Sequence, residues 1–130
     1  MEGLQGPLND QASIYLQIAR MLEDGVLRGI YPEEEQVPST NELARAYSIN
    51  PATAAKGINL LVDKGVLYKK RGIGMFVAAG AAGAIRAERR EAFYENYVTA
   101  LVREGQSLGL TAEEMAEMVA RAAKGGTHHE

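Results

Sequence analysis

The chain has 130 residues, of which 46% are apolar and 24% are charged, and it contains no cysteine. This composition is typical of a folded domain, and the lack of cysteine excludes disulfide bonds, thiolate metal sites and cysteine nucleophiles. No apolar run is long enough for a membrane span and no signal-like segment opens the chain, so we expect a cytoplasmic protein with no membrane partner.

Charge is unevenly distributed along the sequence. The formal net charge is −3, yet the range 45–71 holds six basic residues, Arg45, Lys56, Lys64, Lys69, Lys70 and Arg71, against the single acid Asp63. A local basic stripe is what counterion release from DNA requires, whereas net charge bears on solubility. Because such a stripe is more often solvated surface, it indicates DNA binding only together with a suitable fold.

The chain becomes periodic after a loop predicted over 1–11, where glycine, proline and polar residues dominate. Apolar residues spaced four apart predict a helix over 12–28, which Gly29 ends. Beyond an acidic loop, Ser39 and Glu42 have the spacing of a capping box, in which each side chain accepts the other residue's free amide. A second, short helix is therefore predicted to begin at Ser39.

A third helix and a hairpin follow. Asn50 and Pro51 form a start signal, because asparagine caps a free amide and proline at the first helical position has no amide to satisfy. This helix is predicted to run to about Lys64, where Gly65 ends it. Strand-like residues flank a glycine-containing turn within 66–78, which predicts a β-hairpin. Elements in this order predict a winged helix-turn-helix, with the hairpin as the wing.

The C-terminal part predicts two further helices. The Ala- and Gly-rich run 78–84 is either a flexible hinge or the fraying start of a helix, and we place a domain boundary there. Helical periodicity returns over 85–104, and the chain turns over 105–109. Thr111 and Glu114 then form a second capping box, which begins a last helix.

The predicted fold is mainly α with a small β-hairpin, and it divides into a winged helix-turn-helix over 1–78 and a two-helix dimerisation tail over 79–130. An α-helix fits the major groove of DNA, where its side chains read base edges while phosphate contacts fix the register. The small, polar face of the third helix and the basic tip of the wing suit this role. The candidate DNA-contacting residues are Ser39, Asn41, Arg45, Asn50, Ala52, Thr53, Lys56, Lys70, Arg71 and Gly72.

Some of these assignments have a second interpretation. Lys56 is long enough to reach either a guanine edge or a phosphate, and Asn50 can be a helix cap and nothing more. Lys69 and Lys70 can serve only to prevent edge pairing of the hairpin. The helix-turn-helix beside them favours DNA contact.

We expect a homodimer, because one such domain reads only half of a palindromic operator. The tail carries more apolar groups than a two-helix hairpin buries by itself, so a partner chain is the natural cover, and packing onto the winged helix is the alternative. The candidate interface residues are Phe93, Tyr94, Tyr97, Leu101, Met115, Met118 and Val119. A cleft near Tyr94 and Tyr97 could take an unidentified small-molecule effector, although aromatic residues at helical spacing are more often core.

Catalysis and protein binding are the rival functions. The chain has no glycine-rich phosphate loop after a strand, and its only histidines are His128 and His129 near the end. We therefore expect no enzyme, no cofactor, and no metal site beyond adventitious binding at that pair. The alternative function is a winged-helix protein-protein interaction module, whose binding would hardly respond to salt, whereas DNA binding weakens steeply as salt rises.

The residues from Ile14 to Val77 resemble the GntR family of bacterial regulators. The resemblance rests on four motifs at the family's spacing, each of them common when taken alone. They are Ile14-Tyr15-Leu16-Gln17-Ile18; Val37-Pro38-Ser39 with Glu42-Leu43-Ala44; Ile49-Asn50-Pro51-Ala52-Thr53 with Lys56; and Gly65-Val66-Leu67 with Arg71-Gly72-Ile73-Gly74-Met75-Phe76-Val77. The resemblance implies a transcription regulator, and steric repression is the simplest action for so small a protein.

The short tail resembles that of the YtrA subfamily, whose members dimerise through it and often lie beside genes for ABC transporters. Most other branches of the family carry a much larger effector-binding domain. Two positions depart from the family pattern, since Asn41 stands where arginine is usual and Ala55 where a basic residue is frequent. The operator sequences of other members therefore do not transfer to this chain.

Overall fold

The computed structural model describes residues 13–126 of the chain. The described elements are α1 (Ile14–Leu27), α2 (Thr40–Tyr47), α3 (Pro51–Asp63), β1 (Leu67–Lys70), β2 (Gly74–Val77), α4 (Ala81–Phe93), a π-helical segment (Tyr94–Val98), α5 (Thr99–Ser107) and α6 (Ala112–Gly126). The mainly α fold with one small hairpin is thus confirmed. The loop predicted over 1–11 and the pair His128 and His129 lie outside the described residues.

The described residues form two compact units, one that ends at Ala87 and one that begins at Glu88. In the first unit, α1, α2 and α3 pack with the hairpin around one apolar core. The apolar spacing predicted for α1 and α3 is confirmed, because Ile18, Ile58 and Leu61 are at most 1% exposed. Burial of such side chains is worth about 1.5–3 kcal/mol each, so this core fixes α3 against α1.

Side-chain caps set the starts of α2 and α3, as predicted. The Ser39 hydroxyl accepts the Glu42 amide at 3.0 Å, and the Glu42 carboxylate accepts the Ser39 amide at 2.8 Å. The Asn50 side chain accepts the Ala52 amide at 2.8 Å and so begins α3. Between the two helices, Ser48 adopts a left-handed conformation with φ 54°, which ends α2 and turns the chain towards α3.

The wing contains more paired backbone than the hairpin alone. β1 and β2 form the predicted antiparallel pair. The segment 34–37, which the sequence places in an acidic loop, pairs with the other edge of β2. The Val37 amide donates to the Met75 carbonyl at 3.0 Å, and the Val77 amide donates to the Glu35 carbonyl at 3.0 Å. The sequence does not show this pairing, because so short an acidic segment has no alternation of apolar and polar residues.

The Ala- and Gly-rich run contains the start of α4 at Ala81, so the helical interpretation of this run is confirmed. Ala81 and Ile85 are each 1% exposed and belong to the core of the first unit. The Gly80 amide, just before the helix, donates to the Glu33 carboxylate at 2.9 Å. A functional boundary after Ala78 stays a prediction.

The second unit contains α5 and α6. The turn between these two helices includes Gly109, which has a φ of 79°. The capping box of Thr111 and Glu114 is confirmed by its two hydrogen bonds, at 2.8 and 3.0 Å. The predicted turn begins too early, because Gly105 is a buried residue of α5. The Met115 side chain of α6 lies directly against Gly105, so this glycine allows close packing of two helices and does not end one.

Candidate nucleic-acid interface

All ten predicted DNA-contacting residues lie in the first unit, and none of them is buried. Nine are exposed, and Thr53 is half-buried. A recognition helix or wing packed inside the protein could not reach DNA. The structure therefore leaves every candidate side chain accessible to a ligand.

α3 turns one face to the core and another to solvent. Ala54 and Ile58 are buried, whereas Ala52 and Lys56 are exposed. This division follows from the 3.6-residue period of the helix, which places residues four apart on the same side. The exposed face has small side chains around one long cation, a shape that allows close approach to base edges in the major groove.

The amides at the start of α3 are already bonded within the protein. Pro51 has no amide hydrogen, the Ala52 amide donates to the Asn50 side chain, and the Thr53 amide donates to the Asn50 carbonyl at 2.9 Å. The cap that the sequence predicts at Asn50 is therefore confirmed, whereas a further contact of Asn50 with DNA stays a prediction; its side-chain NH2 group still has donors to offer. At this helix end, a phosphate would be bound by side chains and the helix dipole rather than by these amides.

Lys56 has a neighbour that the sequence pattern does not indicate. Its Nζ lies 4.3 Å from the centroid of the Tyr15 ring, which is the geometry of a cation–π contact. The sequence analysis names Tyr15 only as a member of the first family motif and gives it no further role. The two residues lie on different helices, so no periodic spacing relates them.

Three of the candidate DNA-contacting residues lie at or on α2, and two of them take no part in the helix cap. Asn41 and Arg45 are exposed residues of the helix. The Ser39 hydroxyl already accepts the Glu42 amide, so it has its own proton left to donate to a phosphate.

The tip of the wing carries the positive charge that the sequence predicts. Arg71 and Gly72 are exposed, and Gly72 has a φ of 76°. The Lys70 Nζ lies 4.2 Å from the centroid of the Phe76 ring on the paired strand. The lysine stem is thus packed along the hairpin while its charge remains at the surface.

Gln36 fixes the tip of the wing from outside the hairpin, and the sequence analysis missed it. Its side-chain amide donates to the Ile73 carbonyl at 3.0 Å. Gly74 has a φ of 149°, which favours glycine, and a Cβ there would displace the Gln36 amide group from its present position. The only sequence signal for this contact is the pair of glycines on either side of Ile73.

Tyr68 ties β1 to the acidic segment. Its hydroxyl donates to the Glu34 carboxylate at 2.5 Å. This hydrogen bond raises the pKa of Tyr68, and burial and the negative charge of Glu34 act in the same direction. Tyr68 is therefore a neutral donor at physiological pH, and its hydrogen bond joins β1 to the acidic segment.

The residues predicted to form the dimer interface lie in the second unit, and most are exposed. Phe93, Tyr94, Tyr97, Leu101, Met118 and Val119 have exposed fractions between 42% and 66%. Met115 differs, because it is 7% exposed and already covered within the chain. An apolar groove of about 400 Å³ lies in this unit, with Leu101, Met118 and Val119 among its lining residues.

Two features that would suggest other functions are absent from the part of the chain that the structure describes. No helix within residues 13–126 is long and apolar enough to cross a membrane. Over the same range, no group of three or more His, Cys, Asp or Glu side chains is placed to hold a metal ion.

Comparison with known sequences identifies relatives of two kinds. The YhcF transcriptional regulator of Bacillus subtilis is 30% identical over 113 residues, which are 87% of this chain and 92% of YhcF. The YtrA transcriptional repressor of the same organism is 26% identical over 106 residues, which are 82% of this chain and 81% of YtrA. By contrast, the match to the B. subtilis regulator YurK, 33% identical over 72 residues, covers 54% of this chain and only 30% of YurK.

Solved structures show the same relationship. A putative GntR-family regulator from Bacteroides thetaiotaomicron is 37% identical, with a TM-score of 0.73 over 85% of this chain and 96% of that protein. The DNA-binding domain of AraR in complex with operator ORX1 is 32% identical, with a TM-score of 0.50 over 57% of this chain and 90% of that domain. The family model described as "Bacterial regulatory proteins, gntR family" matches residues 14–77. The chain therefore belongs to the GntR family, whose members are DNA-binding transcription regulators and not enzymes.

Proposed function

We propose that this protein is a repressor that binds a palindromic operator as a homodimer, with α3 in the major groove and the wing beside it. The observation that carries the proposal is the accessible face of α3 around Lys56, in the same compact unit as the basic wing tip. Its relatives YtrA and AraR are, respectively, named as a repressor and solved on operator DNA. Its place of action on this proposal is the cytoplasm, where bacterial DNA lies.

In the proposed complex the DNA contacts divide by chemistry. Lys56 and Thr53 meet base edges, while Asn41 and Arg45 of α2 contact phosphates and fix the register. Lys70, Arg71 and Gly72 approach a groove next to the one that α3 occupies, where glycine permits close contact with the backbone. Ser39, Asn50 and Ala52 complete the set near the starts of the two helices.

The direct test uses duplex DNA from upstream of the protein's own gene, first located by footprinting. We expect Lys56→Ala and Arg71→Ala each to weaken binding by about 1–3 kcal/mol in a mobility-shift titration. Arg121→Ala is the matched control, because it removes one positive charge from an exposed pair with Glu117 in the second unit. Unchanged affinity in both Lys56→Ala and Arg71→Ala would refute this interface.

Salt dependence separates DNA binding from the alternative of a protein-binding winged helix. Each phosphate contact releases condensed counterions, so the logarithm of the binding constant should fall linearly and steeply with the logarithm of salt concentration. A flat response would favour the protein-binding function, because an apolar interface hardly responds to salt. Arg71→Ala should reduce the slope by about one unit.

The homodimer is proposed from the exposed apolar side chains of the second unit, among which are six of the seven candidate interface residues. Two copies held about one helical turn of DNA apart would present both α3 helices to one duplex. Hydroxyl-radical footprinting should then show two protected half-sites related by a two-fold axis. A single protected half-site would contradict this arrangement.

Control of an ABC transporter operon is the target that the YtrA-like tail favours. Deletion of the gene should raise the transcript level of the neighbouring transporter genes, because a repressor blocks their promoter. Unchanged transcript levels would remove this target and leave the DNA interface as it stands.

A further inference from the structure

α3 lies unusually close to α1 at one point, Gly57. A Cβ built on Gly57 would lie 2.8 Å from the Tyr15 carbonyl oxygen and 3.0 Å from Cγ2 of Ile18. Real Cβ atoms essentially never lie as close as 2.8 Å to a backbone oxygen, so glycine allows the two helices to approach to this distance. The residue before Gly57, Lys56, is thereby held next to the side chain of Tyr15.

The two residues in this contact differ in solvent exposure, and the difference leaves the Lys56 charge accessible to a ligand. Tyr15 is half-buried, whereas Lys56 is exposed. The Lys56 Nζ lies 4.3 Å from the centroid of the Tyr15 ring, within the range of cation–π attraction. The ring is thus partly covered by the protein, and the ammonium group beside it remains in contact with solvent.

A free lysine side chain has four rotatable bonds, and it loses this rotamer freedom when it binds DNA. A side chain that is already held in place loses less conformational entropy on binding, and its affinity for DNA is higher for that reason. The ring also limits the directions in which the ammonium can point, so that it meets one position on the DNA instead of several.

We propose that Tyr15 is a positioning residue for Lys56: its ring orients the lysine ammonium before DNA binds, without itself contacting a base. This inference rests on the proposed contact of α3 with operator DNA. It assigns to α1, which has no candidate DNA-contacting residue in the sequence analysis, a part in operator recognition.

The contact itself is tested in the protein without DNA. Protons on the Lys56 ε-carbon above the ring should resonate upfield of their usual position in NMR spectra, because of the ring current. Tyr15→Phe should keep this shift, and Tyr15→Leu should abolish it. A wild-type Lys56 with ordinary chemical shifts would overturn the proposal.

The role in recognition is tested by a double-mutant cycle on the duplex found by footprinting. Tyr15→Leu should raise Kd about two- to five-fold, the change that a cation–π contact at an exposed site supplies. Tyr15→Phe should bind like the wild type, because it keeps the ring. In a Lys56→Met background, Tyr15→Leu should have no further effect, since the charge it positions is gone.

Three outcomes of this cycle would overturn the positioning role. If Tyr15→Phe weakens DNA binding as much as Tyr15→Leu does, the effect comes from the hydroxyl group and not from the ring. If Tyr15→Leu has an undiminished effect in the Lys56→Met background, the effect comes from a disturbed fold. Thermal melting of each variant would show such a disturbance. A Tyr15→Leu variant that binds as well as or better than the wild type would mean that the ring does not help Lys56 bind.

Failure of the underlying DNA contact gives a different result. If Lys56→Met itself leaves Kd unchanged while the upfield shift is present in the wild type, the Lys56 contact with DNA is wrong although Tyr15 and Lys56 do meet.

Discussion

At the scale of single residues, two glycines that look alike in the sequence have opposite surroundings. Gly57 of α3 faces the backbone of α1, where a Cβ would lie 2.8 Å from a carbonyl oxygen. Gly83 of α4 has no atom within 4 Å of the corresponding position. Both lie inside helices, where glycine costs about 1 kcal/mol relative to alanine. Of these two glycines, only Gly57 therefore has a packing reason to be glycine.

We expect Gly57→Ala to lower the free energy of unfolding by about 1–2 kcal/mol, because the overlap with α1 outweighs the gain in helix propensity. Gly83→Ala is the matched control and should raise the free energy of unfolding by up to about 1 kcal/mol. Urea denaturation followed by far-UV circular dichroism measures both. Equal effects of the two substitutions would mean that the close approach of α3 to α1 is wrong.

At the scale of elements, local signals made the starts of α2, α3 and α6 predictable from the sequence. Ser39, Asn50 and Thr111 each bond an amide within three residues, so the whole capping motif is visible in the sequence. The contacts that the sequence did not reveal join distant residues. Gln36 meets the wing tip and Lys56 meets Tyr15 only after the chain has folded. The residues of the candidate site were therefore predictable from the sequence, whereas the long-range contacts that hold them in position were not.

The ion pair between α1 and the end of α3 is another contact of this long-range kind. The Lys64 Nζ lies 3.0 Å from the Glu23 carboxylate, whose side chain is 7% exposed. The sequence places Glu23 on a helix with no sign that it is buried. Its burial beside a lysine at the end of α3 fixes the C-terminal end of that helix against α1.

We expect Lys64→Met to lower the free energy of unfolding by about 1–3 kcal/mol, because it removes the ammonium group that lies 3.0 Å from the buried Glu23 carboxylate. The double substitution Glu23→Gln with Lys64→Met should recover part of this loss, since the buried charge is then gone. Urea denaturation of the three proteins gives the coupling. An unchanged stability in Lys64→Met would show that the pair contributes nothing to the packing of α3.

At the scale of the whole molecule, the two units differ in how well each covers its own apolar side chains. The first unit buries Ile18, Ile58 and Leu61 completely or nearly so. The second unit leaves Phe93 and Tyr97 more than half exposed, with their ring centroids 5.7 Å apart. Exposed apolar surface of this kind marks an association surface in most proteins. This difference in coverage supports the proposal that the first unit contacts DNA and the second unit mediates self-association.

We expect Val119→Asp to weaken self-association at least ten-fold, because it places a charge on the exposed apolar face of α6. Ala120→Asp is the matched control, since it adds the same charge at the next position of the helix, outside the lining of the apolar groove. Sedimentation equilibrium at micromolar concentration measures both. A wild-type protein that sediments as a monomer would refute the homodimer.

The segment 33–37 contacts two separate parts of the first unit at once. Its backbone pairs with β2, and its Glu33 carboxylate accepts the amide that precedes α4. Detachment of this segment would break all of these bonds in one step. The amides of Val37, Val77 and Gly80 should therefore exchange with deuterium at a common rate, so that the wing and the start of α4 open as a single cooperative unit.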